Sequence, residues 1–193
     1  MMPGKVRLLI LLVLFGFLSL NSFAQDLRNF SIKFMGLSVH PAEEPSTEIL
    51  VRKIDNTGRY VMNLGFLASG EWFFKADKAS FRLLGGAMSE CSGLFAGVAH
   101  IGLKFKLFSA GPHYLSWGVG PTLYFRENWI KVRPNHFDEN YLTLGPWEYI
   151  LLWYGMDFEY NININKNLDF STTIIPAYPK VIATAFGLKY WIK

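Results

Sequence analysis

His40 and the run Ser89-Glu90-Cys91-Ser92-Gly93 carry the side chains best suited to covalent chemistry in this sequence. An imidazole, a carboxylate and a hydroxyl or thiol are the parts of an acyl-transfer site: a base, a group that orients it, and a nucleophile or proton relay. His40 precedes Pro41 and the acidic pair Glu43-Glu44, the composition of a loop at the end of a strand. The second run has the Ser and Gly content of a tight turn, which those residues favour for local reasons alone. Ser89, Glu90, Cys91 and Ser92 therefore read equally as a reactive cluster or as a hydrogen-bonded turn. The histidines His40, His100, His113 and His136 lack ligand spacing and fall on separate segments, so neither a metal nor a cofactor is expected.

The elements that hold these residues follow from composition and pattern. The 193 residues are 51% hydrophobic and 18% charged, too apolar to remain solvated as a disordered chain, so the protein must bury itself or enter lipid. The formal net charge is +4, and loss of an amino-terminal segment carrying Lys5 and Arg7 lowers it to about +2. That is too weak for a nucleic-acid footprint, which needs cations clustered on one face, so no nucleic-acid partner is expected. The single cysteine, Cys91, excludes an internal disulfide and any multi-cysteine metal site. Met1 to Arg7 is basic, Leu8 to Leu20 is an apolar run, and Ser22-Phe23-Ala24 supplies small residues at a cleavage site. Residues 1–24 thus read as a secretory signal peptide, and residues 25–193 as one domain. The apolar run is shorter than the roughly 20 residues of a spanning helix.

Downstream, apolar residues recur with period 2 and nowhere usefully with period 3.6. Phe95, Gly97, Ala99, Ile101, Leu103, Phe105 and Leu107 share one face of a strand; Ala96, His100, Gly102, Lys104 and Lys106 share the other. The same alternation predicts eight strands, about 30–40, 60–73, 80–90, 94–108, 113–128, 148–163, 168–178 and 181–192. Long connections at 41–59 and 129–147 fall at one end, with short turns at 74–79, 109–112 and 164–167 at the other. This is the pattern of an all-β, eight-stranded antiparallel transmembrane β-barrel of the bacterial outer membrane. A soluble sandwich or lipocalin-like barrel would need a polar exterior in place of Leu, Phe and Trp. Tyr60, Trp72, Trp129, Trp147, Tyr149, Tyr190 and Trp191 are expected to form interfacial girdles. Lys33, Glu71, Arg82, Glu90, His100, Lys104, Arg126, Asp157, Glu159 and Lys189 are assigned to the lumen, where an ion-pair network is the plain reading. Inward small residues such as Gly65, Gly86, Gly102, Gly118, Gly120, Gly155 and Gly187 suggest either a roomy interior or wall curvature.

Gly118-Val119-Gly120-Pro121-Thr122-Leu123-Tyr124-Phe125-Arg126-Glu127-Asn128-Trp129 resembles the Gly-rich strand of the PagP-like lipid A palmitoyltransferases, with Glu127 where that family carries Asp. Thr173-Ile174-Ile175-Pro176, followed by a short turn and an aromatic closing strand, is similar to the end of the same family. The resemblance implies an outer-membrane acyltransferase moving a phospholipid acyl chain to lipid A. His40 would then match the family histidine and Glu90-Cys91 its Asp-Ser pair, with Ser89 or Ser92 as the alternative serine match. It implies phospholipid and lipopolysaccharide as partners of a membrane-embedded monomer. Two other readings accompany it: a lipid A deacylase, and a non-catalytic barrel with a structural role or a partner bound by its loops. Pro121 and Pro176 either loosen the wall for lateral lipid entry or mark a bulge and a strand end.

Overall fold

Alternating side chains force each segment to present one face to apolar surroundings and the other to its polar neighbours, and the computed structural model shows how the ring closes on that rule. It describes residues 28–41, 47–134, 140–177 and 181–192; the expected signal peptide lies outside them. The strands are β1 (Arg28–Val39), β2 (Tyr60–Lys75), β3 (Ala79–Ser89), β4 (Phe95–Ala110), β5 (His113–Glu127), β6 (Leu142–Leu144), β7 (Trp147–Asn165), β8 (Leu168–Ala177) and β9 (Val181–Ile192). The eight long ones pair antiparallel in the order β5-β4-β3-β2-β1-β9-β8-β7, and a β5–β7 ladder closes the barrel. Each matches an expected segment to within two residues at either end. Only β6, a three-residue strand inside the second long connection, carried no signal in the sequence.

The outer wall is apolar: Phe30, Ile32, Phe66, Leu103, Leu123, Phe158, Phe186 and Leu188 are among its exposed side chains. Phe34 packs edge-on against Phe66 and Phe186, each at 5.7 Å, across three adjacent strands. So large an apolar surface is a liability in water, whereas a closed ring with its backbone paired between strands suits hydrocarbon. The expected girdle is corrected at two positions. Trp191 and Trp129 are buried, the first because it continues the inward phase of Ala185, Gly187 and Lys189 along β9.

All ten ionisable residues assigned to the lumen are buried. At its centre lies Glu159 on β7, 0% exposed, which contacts Lys33 of β1, Lys189 of β9, Lys104 of β4 at 2.5 Å and Arg82 of β3 at 3.8 Å. Lys104 also reaches Glu71 of β2 at 2.7 Å, and Arg82 reaches Asp157 at 2.6 Å. Thr173 of β8 accepts from Lys33 at 2.5 Å. β5 contributes by absence: a Cβ on Gly118 would lie 2.3 Å from Asp157 Oδ1. Likewise, a Cβ on Gly155 would lie 2.0 Å from Thr122 Oγ1. Glycine here admits a neighbouring side chain and opens no chamber, which corrects the expectation of a roomy interior.

Three layers fill the barrel. Beneath the ion pairs, Phe73, Tyr114 and Trp191 close the end with short turns, where Asp169 accepts from Tyr114 (2.5 Å), Trp191 (2.6 Å) and Asn163 (2.7 Å). A cavity of about 10 Å³, room for one water, lies between this layer and Lys104 and Lys189. Above the ion pairs, Met35, Leu67, Leu84, Met88, Ala96, Ala183 and Ala185 form an apolar layer, packed by Val98, Tyr124 and Ile175.

Two bulges shift the alternation. In β1 the register with β2 slips between Met35 and Leu37, so the inward phase passes from Lys33 and Met35 to Ser38. In β7 the register with β5 slips opposite Pro121, leaving Trp153 and Tyr154, 67% and 82% exposed, side by side on the exterior. Among the described residues the β7–β8 ladder stops at Phe158–Ile174, although β7 continues to Trp147 and β8 to Ala177. The wall is thus unzipped beside Pro176, which sits at a strand end.

Replacing Glu159 by Ala leaves its four cations short of their shared carboxylate, at an expected cost of about 3–5 kcal/mol. Urea unfolding in detergent, read by the heat-modifiable gel mobility of folded barrels, should show that loss. An unchanged midpoint would rule out Glu159 as the centre of the fold.

Candidate functional site at the outer rim

The two long connections and the β3–β4 turn meet at the end opposite the short turns, which is the extracellular end of an outer-membrane barrel. His40 follows β1 directly, and its backbone N–H donates to Arg59 O at 2.7 Å, closing the base of the first connection. Asn63, on β2 between the two candidate segments, donates to Ser38 Oγ at 2.9 Å and accepts from the Cys91 N–H at 2.8 Å. The structure therefore carries both segments at one rim.

Glu90 is the hub of that rim. It is buried, and its carboxylate accepts from Trp129 Nε1 at 2.9 Å, from Tyr124 Oη and, more loosely, from Ser92 Oγ at 3.4 Å. Tyr124 is inward on β5, and Trp129 begins a short 3-10 turn after it. Asn128 caps that turn, its Oδ1 accepting from Ile130 N at 2.8 Å. Arg126 donates to Glu148 at 2.7 Å, and its guanidinium lies between the Trp129 and Tyr141 rings at 4.4 and 4.0 Å from their centroids. Glu127 accepts from Phe95 N at 3.0 Å and pairs with Lys131. Four residues of the Gly-rich segment, Arg126 to Trp129, thus each have a positioning role in the rim.

Cys91 packs with Ile49, Leu50, Val61 and Trp129. Ser89 Oγ accepts from Arg52 at 2.8 Å and donates to Gly93 O at 3.1 Å, while Ser92 Oγ accepts from Leu94 N at 3.5 Å. Arg52 also donates to Glu90 O at 2.6 Å, tying the first connection to the β3–β4 turn. Ser89, Glu90 and Ser92 are held as a hydrogen-bonded turn in which the carboxylate orients an indole and a phenol. Of Arg52, Asn63 and Tyr124, two carry a signal in the sequence: Asn63 shares the inward phase of Gly65 and Glu71 on β2, and Tyr124 that of Arg126 on β5, whereas Arg52 lies in a connection where alternation says nothing. Away from the rim, His100 pairs with Thr122 at 2.7 Å in the lumen and His113 with Tyr160 at 2.7 Å near the short turns.

No family model matches the chain, and no curated protein matches its sequence. Among solved structures it is similar to Ail, the attachment invasion locus protein of Yersinia pestis, in complex with the heparin analogue sucrose octasulfate. The TM-score is 0.50 and the identity 12%, over 86% of this chain and 97% of that one. Neisserial surface protein A aligns over 88% of this chain and 98% of that chain, with 8% identity and a TM-score of 0.48. The N-terminal β-barrel domain of Pseudomonas aeruginosa OprF aligns over 87% and 98%, with 10% identity and a TM-score of 0.46. The chain is an outer-membrane β-barrel. What it shares with Ail at that identity is the fold, and the apolar exterior with its charged interior places that fold in the membrane.

Two outcomes follow. Glu90→Ala removes the acceptor of a buried indole and phenol, so the folded rim should lose about 1–3 kcal/mol, with Trp129 fluorescence shifting to the red; Glu90→Gln should restore part of it. In the first connection, the Thr57 hydroxyl, followed by the Tyr60 N–H at 2.9 Å, holds the Asp55 carboxyl down to about 2. A depressed carboxyl contributes order above its unfolded value near 3.9 that is lost as pH falls through about 2. The Tyr60 amide resonance should titrate in that window, and Asp55→Asn should abolish the transition.

Proposed function

We propose that the protein is a non-catalytic barrel of the outer membrane, a monomer set among phospholipid and lipopolysaccharide, exported by a signal peptide at residues 1–24. Its outer connections meet a partner. The observation that carries this reading is the filled lumen: four cations and three carboxylates from six strands occupy its middle, and packed apolar side chains occupy the half below the rim. An eight-stranded ring has room for side chains or for one small ligand, and here side chains take it. At the rim, exposed Lys53 and Arg59 offer cations to an anionic sugar, the ligand class of the Ail complex.

One observation favours the second reading, lipid A acyl transfer or deacylation. The unzipped β7–β8 wall lies beside Ile175 and Ala183 of the apolar layer, where an acyl chain arriving from the outer leaflet would find apolar contacts. In that reading His40 is the base, Glu90 orients it, and Cys91, Ser89 or Ser92 is the nucleophile or relay, which requires the turn around Glu90 to release its present partners.

Mass spectrometry of lipid A from cells with and without the protein, and with His40→Ala, separates the readings. Identical lipid A in all three is expected. One acyl chain gained with the wild type and lost with His40→Ala would overturn the non-catalytic reading in favour of transfer; one chain lost with the wild type would favour deacylation.

A further inference from the structure

The end with the short turns is charged asymmetrically. On the arc formed by the β2–β3 turn, the start of β1 and the β7–β8 turn, the exposed cations among the described residues are Arg28, Lys75, Lys78 and Lys166. Among the described residues the acids there are engaged: Asp77 pairs with Lys106, and Asp169 is buried under Tyr114, Trp191 and Asn163. The β4–β5 turn on the remaining arc, Ala110 to His113, contains no Lys or Arg. Three of the four, Arg28, Lys75 and Lys78, adjoin one another on the β1–β2–β3 stretch of the rim.

The same arc is greasy on its lipid face. Arg28 keeps the outward phase of Phe30 and Ile32, and its register neighbours are Trp72 of β2 and Ile192 of β9. Phe30, Phe74, Tyr190 and Ile192 are all about half exposed around it. Cations directly above an apolar and aromatic strip match an amphiphile that is anionic at one end and hydrocarbon at the other. A soluble polyanion would leave the strip unused, and a zwitterionic headgroup would leave the charge uncompensated.

We propose that this crescent, centred on Arg28, Lys75 and Lys78, is a binding surface for anionic phospholipid headgroups of the inner leaflet. Lysine and arginine at such a surface extend their charged ends to phosphate while their stems lie along the acyl region. The site is one-sided, so it would seat lipid beside β2, β1 and β9 and leave β4 and β5 bare.

Native mass spectrometry of the full chain in detergent, offered equal phosphatidylglycerol and phosphatidylethanolamine with the same acyl chains, tests this. The wild type should retain phosphatidylglycerol about tenfold more than phosphatidylethanolamine. The triple variant Arg28→Gln, Lys75→Gln, Lys78→Gln should lose the preference while keeping its heat-modifiable mobility. If that variant does not fold, the wild-type preference should still collapse at about 1 M salt, where screening acts within about 3 Å. No preference in the wild type, a preference that survives in the folded triple variant, or one that survives salt, overturns the proposal. Co-sedimentation with purified peptidoglycan sacculi that depends on the three cations, without a lipid preference, would also overturn it and assign the crescent to the cell wall.

Discussion

Four cations converge on one carboxylate in the middle of this barrel, and the rest of the structure accommodates that fact. Glu159 has no access to solvent, so its charge is tolerable only if Lys33, Lys104, Lys189 and Arg82 are all delivered to it. Those groups come from strands far apart in sequence, and only a closed ring brings them together. The strands between them supply glycine where a neighbour must pass and hydroxyls where a lysine needs another acceptor. Closure and neutralisation are then one event: a sheet lacking any of β1, β3, β4, β7 or β9 exposes a charge that the others cannot offset.

Strand number, strand ends and the inward charges were legible because a barrel wall demands strict alternation between hydrocarbon and lumen, and one misplaced charge would be costly at either face. What alternation cannot report is where it breaks. The bulge at Met35–Leu37 decides that Ser38 turns inward after Met35, and the one at Trp153–Tyr154 puts two aromatic rings outward in succession; both depend on cross-strand register. Trp191 follows the rule, and its burial could have been read from the phase of Lys189. Trp129 could not, because it lies beyond the strand and its place is set by Glu90 from another turn.

At the rim, residue types suggested chemistry and geometry supplied a different use for several of them. A carboxylate beside serines and a cysteine is consistent with catalysis or with a braced turn, and sequence spacing does not separate the two. The separating information is the position of Tyr124, Trp129 and Arg52, which arrive from two other segments and take up the Glu90 carboxylate and carbonyl. Such convergence rests on tertiary structure alone. The resemblance to an acyltransferase strand is carried by residues that here build this rim, Arg126 stacked between two rings and Asn128 capping a turn.

The unzipped stretch between β7 and β8 has a bearing on motion. The junction of the chain ends is zipped along its length, from Arg28–Ile192 to Val39–Ile182, whereas the β7–β8 ladder covers only the lower part of β7. Between the β6 pairing at Trp147–Tyr149 and the β8 pairing that starts at Phe158, amide protons on this edge of β7 have no strand partner among the described residues and should exchange with solvent deuterium ahead of the remaining wall. The barrel would thus breathe at an internal seam and not where its termini join, with Trp153 and Tyr154 riding on the moving edge.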